Sequence, residues 1–574
     1  MVALTAGAYL AWGRARGWSF SFWLAGLFGY VFALPGVKNG SAGPPWFRWA
    51  LALLLGWASV LRFVRTYEIP ANIGVDEILS GLESLRIARG GYPGVFVSLG
   101  WFSTPNFAFT PAAVFMKLLS LPPFESLRLA SAVEGILTVA ATTFLGRELL
   151  GPRAALFAGF FLATSYWHVH ESRTGFTYAQ PALAAAVVLW LLVRAFRTRS
   201  PRGVAGAGVA SGFALELYFP ARIVLVLVPL AFVFLHRVGP LRRLRDFVAF
   251  SLGSLLVVFP LVLAVGPEKL LAHSYEVTLF RPATTEYLAE RYGVAGVSGV
   301  LLRNARESLA MLYGWADLAV HNPSPAGLLD WATLVLFAAG VFLAATGLSA
   351  APLFLLLWFG STWFFGVVLG NFPRASYRLA PALPAVCLLA AYALDTLLRS
   401  TASGRTWYRQ LVRTLVVGGV LTFVALENVD VLFVRYARGN GSPFPMGEAA
   451  RLASRSCDGS RMYYGLPESQ AWPKNFMELF CSDYEPVSRG SFPPEPRADG
   501  RPRTGVFFIM AEHEMWTRKV RECYPSARFR RHEAEDGRLL FVSAEVGEKG
   551  LRLGPLRCGR RDGGEASSRG RAPW

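Results

Sequence analysis

The stretch NFPRASYRLAPALPAVCLLAAYAL (residues 371–394) begins with a polar turn and continues into an apolar run. That run, 379–398, has the length of about twenty residues that an α-helix needs to cross a bilayer. Eleven similar runs lie at 18–36, 48–65, 126–146, 154–170, 178–196, 203–219, 221–236, 247–265, 329–348, 351–370 and 412–434. The sequence therefore predicts an all-α polytopic membrane protein with about 12–13 transmembrane helices. The candidate for the thirteenth is the short run Met1 to Gly13 at the start of the chain.

Composition leads to the same class. Of 574 residues, 53% are hydrophobic and only 17% are charged, which is too apolar for a soluble protein. The net charge of +19 arises largely from Lys and Arg in short loops between the apolar runs, where they orient a membrane protein. We therefore predict no nucleic-acid partner. The first apolar run lacks a basic start and a cleavage site, so no cleavable signal peptide is expected.

The basic loops predict the orientation of the chain. Four short connections rich in Arg, at 147–153, 197–202, 236–245 and 399–413, are expected in the cytoplasm. Loops of the other parity then face outward: 66–125, 168–176, 218–223, 266–328, 371–378 and the tail beyond Tyr436. This parity requires that the apolar stretch 105–121 lies in the outer interface and does not span.

The C-terminal part has a different character. Residues 435–560 are polar and predict a small α/β extracytoplasmic domain, with strands at MYYGLP (462–467) and TGVFFIM (504–510). Residues 561–574 predict a disordered tail. Four cysteines in this part permit two disulfides of undetermined pairing: Cys457, Cys481, Cys523 and Cys558.

Two adjacent carboxylates, Asp76 and Glu77, open a short amphipathic helix in the first outer loop. Carboxylates at a helix start cap free N–H groups and suit the positive end of the helix dipole, which is one interpretation. The other is that they belong to a site at the membrane surface. The remaining outer loops decide between the two.

The loop HVHESRTGF (168–176) carries His168, His170, Glu171 and Arg173. An interfacial anchor is one interpretation, and a metal site of the histidines with a carboxylate is a weaker one, because i and i+2 spacing is not a helical chelate. As a functional residue, Arg173 is a candidate phosphate ligand, since its planar fork of donors suits phosphate.

Two further outer turns combine an aromatic residue, a proline and an arginine. YFPARI (218–223) contains Tyr218 and Arg222, and NFPRASYR contains Arg374 and Arg378. These Arg side chains could merely extend from helix ends toward water. Outward Arg residues oppose the charge bias of membrane proteins, however, and an anionic ligand at the outer surface explains all of them. Carboxylates with several Arg suit a reaction in which a lipid-linked phosphate leaves while a carboxylate deprotonates a hydroxyl.

In order and spacing, the pieces VDE, LRIARGGYP, HESR, YFPARI, HNPSPAGLLDWATLVLFAAGVFL and NFPRASYRLAPALPAVCLLAAYAL resemble the GT-C glycosyltransferases. The resemblance is to the bacterial family 39-like branch, related to the protein O-mannosyltransferases and the lipid A aminoarabinose transferases. It covers about Trp49 to Leu398, within a transmembrane domain of 46–434 preceded by an extra N-terminal part, 1–45.

The resemblance implies a multi-pass enzyme of the bacterial inner membrane that transfers a hexose or pentose from a polyprenyl-phosphate-linked donor. It implies an extracytoplasmic protein, lipid or glycan acceptor and an inverting reaction. By position, Asp76 looks like the catalytic carboxylate and Glu77 its neighbour, while Arg173, Arg222, Arg374 and Arg378 are candidates for the phosphate. No cofactor is certain, and a divalent cation stays open because some GT-C enzymes use a metal.

Two other functions compete with this interpretation. A transporter or flippase of a polyprenyl-linked glycan would place charges at mid-membrane and show an inverted repeat. A noncatalytic scaffold for the C-terminal domain would not need the carboxylate pair.

Overall fold

The structure is a computed structural model of the 574-residue chain. It describes residues 2–11, 18–35, 44–71, 73–314, 325–400, 407–439, 462–466, 484–486, 505–510, 514–533 and 539–546. The chain divides into two compact units, Met1–Gly441 and Ser442–Trp574. The first is helical and the second contains a small sheet.

The helices of the first unit have the following bounds: α1 Val2–Ala11, α2 Trp18–Ala33, α3 Pro45–Phe63, α4 Val75–Ala88, α5 Thr110–Leu119, α6 Pro123–Leu149, α7 Pro152–Thr164, α8 Tyr166–Glu171, α9 Gln180–Thr198, α10 Pro201–Leu215, α11 Val224–Phe234, α12 Pro240–Val265, α13 Pro267–Glu276, α14 Pro282–Tyr292, α15 Gly296–Ala310, α16 Trp331–Gly347, α17 Ala350–Trp363, α18 Ser376–Leu379, α19 Leu383–Ser400, α20 Trp407–Asp430 and α21 Ala437–Gly439. Short 3-10 turns lie at Val95–Val97, Trp101–Ser103, Asn106–Phe109, Thr177–Ala179, Phe219–Ile223 and Ala380–Ala382. Two π-helical turns, Phe364–Val368 and Val431–Tyr436, continue α17 and α20.

The predicted all-α membrane fold is confirmed, and each predicted apolar run is helical over most of its length. Within the described residues, six helices are long and apolar enough to cross a membrane: Pro123–Leu149, Thr177–Thr198, Pro240–Val265, Ala350–Val368, Ser376–Ser400 and Gln410–Tyr436. Five apolar helices are shorter, at Ser19–Ala33, Asn106–Leu119, Pro152–Thr164, Phe219–Phe234 and Trp331–Gly347.

The core of the helical unit lies around α9 and α19, whose side chains are mostly buried. Helices α10 and α12 approach each other closely, because a Cβ atom on Gly208 would overlap the carbonyl oxygen of Phe250. On the facing helix, a Cβ atom on Gly253 would stand 2.7 Å from the carbonyl oxygen of Ala205. Small residues permit such contacts, which drive helix association where lipid supplies no hydrophobic force.

The loops that carry the predicted site residues meet at one end of the helical unit, which we call the site end. An antiparallel bridge between Thr278 and Gly370 joins the turn after α13 to the segment before α18. The Leu279 N–H donates to the Leu369 carbonyl at 2.8 Å, and the Asn371 N–H donates to the Val277 carbonyl at 3.0 Å. The turn after α13 is therefore held against the start of the loop 371–378.

The second unit contains a five-stranded sheet in the order β2-β1-β3-β5-β4. Its elements are β1 Met462–Leu466, β2 Tyr484–Pro486, β3 Gly505–Met510, α22 Glu514–Cys523, β4 Arg528–Glu533 and β5 Leu539–Val546. Strand β1 pairs in parallel with β2 and β3, whereas β5 pairs antiparallel with β3 and β4. Both strands predicted from the sequence are confirmed. The cysteine pairing and the predicted disordered tail lie outside the described residues.

Candidate active site

Asp76 lies in the first turn of α4, at the site end. The helix begins after Gly74, which is its N-cap residue and makes no side-chain cap bond. The carboxylate of Asp76 instead makes a tertiary contact, since the hydroxyl of Tyr178 donates to its Oδ2 at 2.6 Å. The side chain is partly exposed. Asp76 is thus oriented by a partner about a hundred residues away in the sequence and stays accessible.

Three tyrosines from three separate loops pack beside Asp76. The ring of Tyr178 stacks on Tyr377, with centroids 4.5 Å apart and an interplanar angle of 11°. The ring centroids of Tyr218 and Tyr178 lie 5.4 Å apart. Tyr218 is close enough to Asp76, Glu171 and Arg378 to experience the charge of each. The tyrosine cluster, Tyr178, Tyr218 and Tyr377, therefore joins the predicted carboxylate to the predicted arginines.

Arg378 is the innermost cation of this site, with 6% of its surface exposed. Its Nη1 donates to the Asn371 Oδ1 at 2.8 Å, and its guanidinium lies 5.6 Å from the ring centre of Tyr377. Within the described structure its Nε has no hydrogen-bond partner. A donor left over on a buried guanidinium suits an incoming anion, because an unsatisfied buried donor is costly.

Arg222 and His273 adjoin Arg378. Nη1 of Arg222 donates to the Ser274 hydroxyl at 2.7 Å, which fixes the side chain against α13. Burial and the positive charges of Arg378 and Arg222 lower the pKa of His273 to about 4. His273 is therefore neutral at pH 7, and the positive charge here comes from the two arginines.

Arg374 lines a cavity of about 220 Å³ beside this cluster. The other wall residues are Arg291, Tyr292, Arg303, Glu307, Asn371, Phe372 and Pro373. Nε of Arg374 lies 3.6 Å from Oε2 of Glu307, whose Oε1 also pairs with Arg303 at 2.9 Å. Asn371 contacts Arg378 and lines this cavity, so the two arginines of NFPRASYR contribute to adjoining parts of one basic region.

Glu77 does not share the environment of Asp76. Its carboxylate is fully buried and pairs with Arg128 on α6, with Oε1 2.9 Å from Nε. The Gly175 N–H donates to the same oxygen at 2.9 Å. The guanidinium of Arg128 also donates to the carbonyl oxygens of Thr66 and Pro70. These buried contacts of Glu77 and Arg128 join α4 to its neighbours. Glu77 therefore has a packing role here in place of the predicted site contact.

Arg173 likewise lies in the interior. It is 0% exposed, and its guanidinium donates to the carbonyls of Leu61 at 2.7 Å and Ile69 at 3.0 Å. These bonds anchor the loop after α8 to α3, and within the described residues Nη2 of Arg173 has no hydrogen-bond partner. The phosphate contact of Arg173 stays a prediction. Sequence alone could not separate Arg173 from Arg378, because both lie in loops that follow an apolar helix and are predicted to face outward.

The other residues predicted in HVHESRTGF hold the loop in place. His168 is buried with Nδ1 2.6 Å from Nη2 of Arg62, and His170 contacts the Tyr436 hydroxyl at 3.0 Å. Glu171 accepts a hydrogen bond from Ser376 at 2.8 Å, which attaches the loop to α18. Among the described residues, no group of three or more His, Cys, Asp or Glu side chains is arranged to hold a metal ion.

An exposed aromatic residue extends the site along the surface. Phe102 has a left-handed backbone, with φ 50°, and stacks on His273 with ring centres 4.8 Å apart. On its other side His273 contacts Phe219 at 4.9 Å. Phe102, Tyr178, Tyr377 and His273 are absent from the residues predicted by sequence. Tyr178 and Tyr377 adjoin the predicted motifs, which is the signal that could have indicated them.

Residues 103–265 match the family described as dolichyl-phosphate-mannose-protein mannosyltransferase. No curated protein sequence matches the chain.

Solved structures resemble the chain at low sequence identity. ArnT from Cupriavidus metallidurans bound to undecaprenyl phosphate is 15% identical with a TM-score of 0.56, over 86% of this chain and 97% of that one. ArnT in the apo state is 14% identical with a TM-score of 0.54, over the same shares of the two chains. The oligosaccharyltransferase AglB from Archaeoglobus fulgidus gives 14% identity and a TM-score of 0.49, over 87% and 74%.

The comparison defines the class at the level of the fold: this is a multi-pass membrane protein whose fold is similar to that of ArnT. Within that fold, the similarity to the mannosyltransferase family extends over residues 103–265.

Proposed function

We propose that the protein transfers a sugar from a polyprenyl-phosphate-linked donor to an extracytoplasmic acceptor, with Asp76 as the catalytic carboxylate. The observation that carries the proposal is the tyrosine cluster, which connects a partly exposed carboxylate to Arg378 in one site. The similar ArnT structure contains undecaprenyl phosphate, which belongs to the class of carrier we propose.

The chemistry follows from the charges of the site. Asp76, held by the Tyr178 hydroxyl, accepts the proton of the acceptor hydroxyl as its oxygen attacks the anomeric carbon. The bond from that carbon to the phosphate oxygen breaks, and the electron pair leaves with the polyprenyl phosphate. Arg222, Arg374 and Arg378 stabilise the negative charge that develops on the leaving phosphate. Attack opposite to the leaving group inverts the anomeric configuration.

The test is turnover of the purified full chain with polyprenyl-phosphate-linked sugars, measured as release of polyprenyl phosphate. Asp76→Asn keeps the size of the side chain and removes the base, so we expect a fall in kcat of roughly 100-fold or more. The matched control is Asp430→Asn, because Asp430 is 44% exposed and pairs only on the surface with Arg435 at 2.6 Å. The control should turn over at the native rate.

Native turnover by a folded Asp76→Asn protein would exclude the catalytic assignment. Folding of each variant is checked by circular dichroism and by its thermal unfolding midpoint. Release of polyprenyl phosphate without glycosylated product, when a candidate acceptor is present, would mean that the acceptor belongs to another class.

A further inference from the structure

A large cavity lies at the end of the helical unit opposite to the site end. Its volume is about 760 Å³, within the usual range for small-molecule sites. The C-terminal ends of α6, α9, α11 and α19 and the N-terminal end of α17 form its wall. This end carries the basic loops predicted to face the cytoplasm.

The polar part of the wall is predominantly basic. Four arginines line it, Arg197, Arg199, Arg237 and Arg399, together with two acids, Glu148 and Asp395. Both acids are already paired within the wall, since Arg197 lies 3.4 Å from Glu148 and Arg399 lies 2.7 Å from Asp395.

Both acids also pair with a second arginine outside the wall. Arg194 lies 3.6 Å from Glu148, and Arg153 forms an ion pair with Asp395. The negative charge of each acid is thus matched by two cations, and the cavity retains an excess of positive charge.

Arg199 and Arg237 carry that excess. Within the described part of the chain, neither guanidinium forms an ion pair or a side-chain hydrogen bond, and both side chains are exposed. The N-terminus of α17 adds to the positive potential, because its N-cap Ser349 lines the cavity and makes no side-chain cap bond. Two free planar cations and a helix N-terminus suit the oxygens of a phosphate group.

The rest of the wall is apolar and includes Leu150, Val193, Phe196 and Phe234. A cavity that combines basic and apolar walls near a membrane surface suits an amphiphilic anion better than a fully hydrated one. We propose that this cavity binds a phosphate-bearing anion, either the headgroup of an anionic phospholipid or a soluble phosphate. The proposal does not depend on the catalytic assignment of Asp76.

Native mass spectrometry of the detergent-solubilised full chain tests this inference. The probes are a short-chain phosphatidylglycerol, the phosphatidylcholine of the same chain length, and inorganic phosphate. The variant Arg199→Gln with Arg237→Gln removes the two free cations. The matched control, Arg48→Gln with Arg245→Gln, removes the same charge from exposed positions at the same end but outside the wall.

Phosphatidylglycerol should bind the native chain and the control equally, and the cavity variant roughly tenfold or more weakly, because the variant lacks two arginines that attract an anionic headgroup. Phosphatidylcholine should bind all three proteins alike. If inorganic phosphate binding falls in the cavity variant and phosphatidylglycerol binding does not, the ligand is a soluble phosphate. Equal binding of both anions to the native chain and the cavity variant, with all proteins folded, would overturn the proposal.

Discussion

Asp76 and Glu77 are neighbours in the sequence, yet their carboxylates face different surroundings. Consecutive residues of an α-helix point about 100° apart, so a helix that packs on one face separates two adjacent side chains. Asp76 meets Tyr178 at 2.6 Å on the partly exposed face, and Glu77 meets Arg128 at 2.9 Å in the interior. Capping of α4, the simpler interpretation of the pair, does not describe either contact.

The pairing of Glu77 predicts a stability effect. Glu77→Gln leaves the fully buried Arg128 without a counter-charge, so the free energy of unfolding should fall by about 3 kcal/mol or more. The thermal unfolding midpoint in detergent measures this. The control is Glu68→Gln, whose pair with Arg65 is exposed and should change stability by less than about 1 kcal/mol. An unchanged unfolding midpoint for Glu77→Gln would contradict a stabilising role of the Glu77–Arg128 ion pair.

At the scale of elements, α13 brings a histidine and a serine from the long connection after α12 to the arginines of the site. The bridge between Thr278 and Gly370 holds this helix near the segment that carries Arg378. Stacking of Phe102 on His273 adds a contact from the segment between α4 and α5. Three loops far apart in the sequence are thereby joined around one histidine.

His273 should make stability depend on pH. Its pKa is about 4 in the folded protein and near the ordinary value of 6.5 when unfolded, because burial and two arginines disfavour the charged form. The unfolded chain therefore binds a proton first as the pH falls, and stability is lost between about pH 6.5 and 4, by up to about 3 kcal/mol. Above pH 6.5 the residue has no effect.

His273→Phe keeps the aromatic contacts and removes the titration. Unfolding midpoints measured from pH 7.5 to 4 should therefore fall less steeply for this variant than for the native protein. Tyr275→Phe, a change at an exposed position two residues away on α13, should follow the native profile. Identical profiles for His273→Phe and the native chain would mean that His273 titrates normally.

At the scale of the whole molecule, the charged features of the helical unit separate toward its two ends. Asp76, the tyrosine cluster and three of the predicted arginines lie at the site end, whereas the basic cavity lies at the other. A flippase is expected to place charged residues in the middle of the membrane. The residues of this site come instead from loops and helix ends. The charge bias of the loops predicts that the site end faces outward and that the end with the basic cavity faces the cytoplasm.

Cysteine labelling in intact cells tests this orientation. In a chain whose four C-terminal cysteines are changed to serine, Arg89→Cys at the exposed end of α4 should react with an impermeant maleimide. Arg245→Cys, which is exposed at the opposite end, should react only after the membrane is permeabilised. The reverse pattern would show that the predicted sidedness is inverted. Cys387 is buried and can remain.

Much of this architecture follows from the sequence. Apolar runs of membrane length predict the helices because helix length and bilayer thickness are matched, and parity with the basic loops gathers the polar motifs at one end. Asp76, Arg222, Arg374 and Arg378 are predicted in this way, and the structure brings their segments together.

Only the tertiary structure decided which polar residues line the site and which hold the helices. Arg173 and Arg378 look alike in the sequence, but Arg173 donates to the backbone carbonyls of Leu61 and Ile69 in the interior, whereas Arg378 lies beside the tyrosines. The physical reason is that periodicity determines local structure, whereas the environment of a charge depends on how distant helices are rotated and packed. The contact of Tyr178 with Asp76 depends on this packing of distant segments.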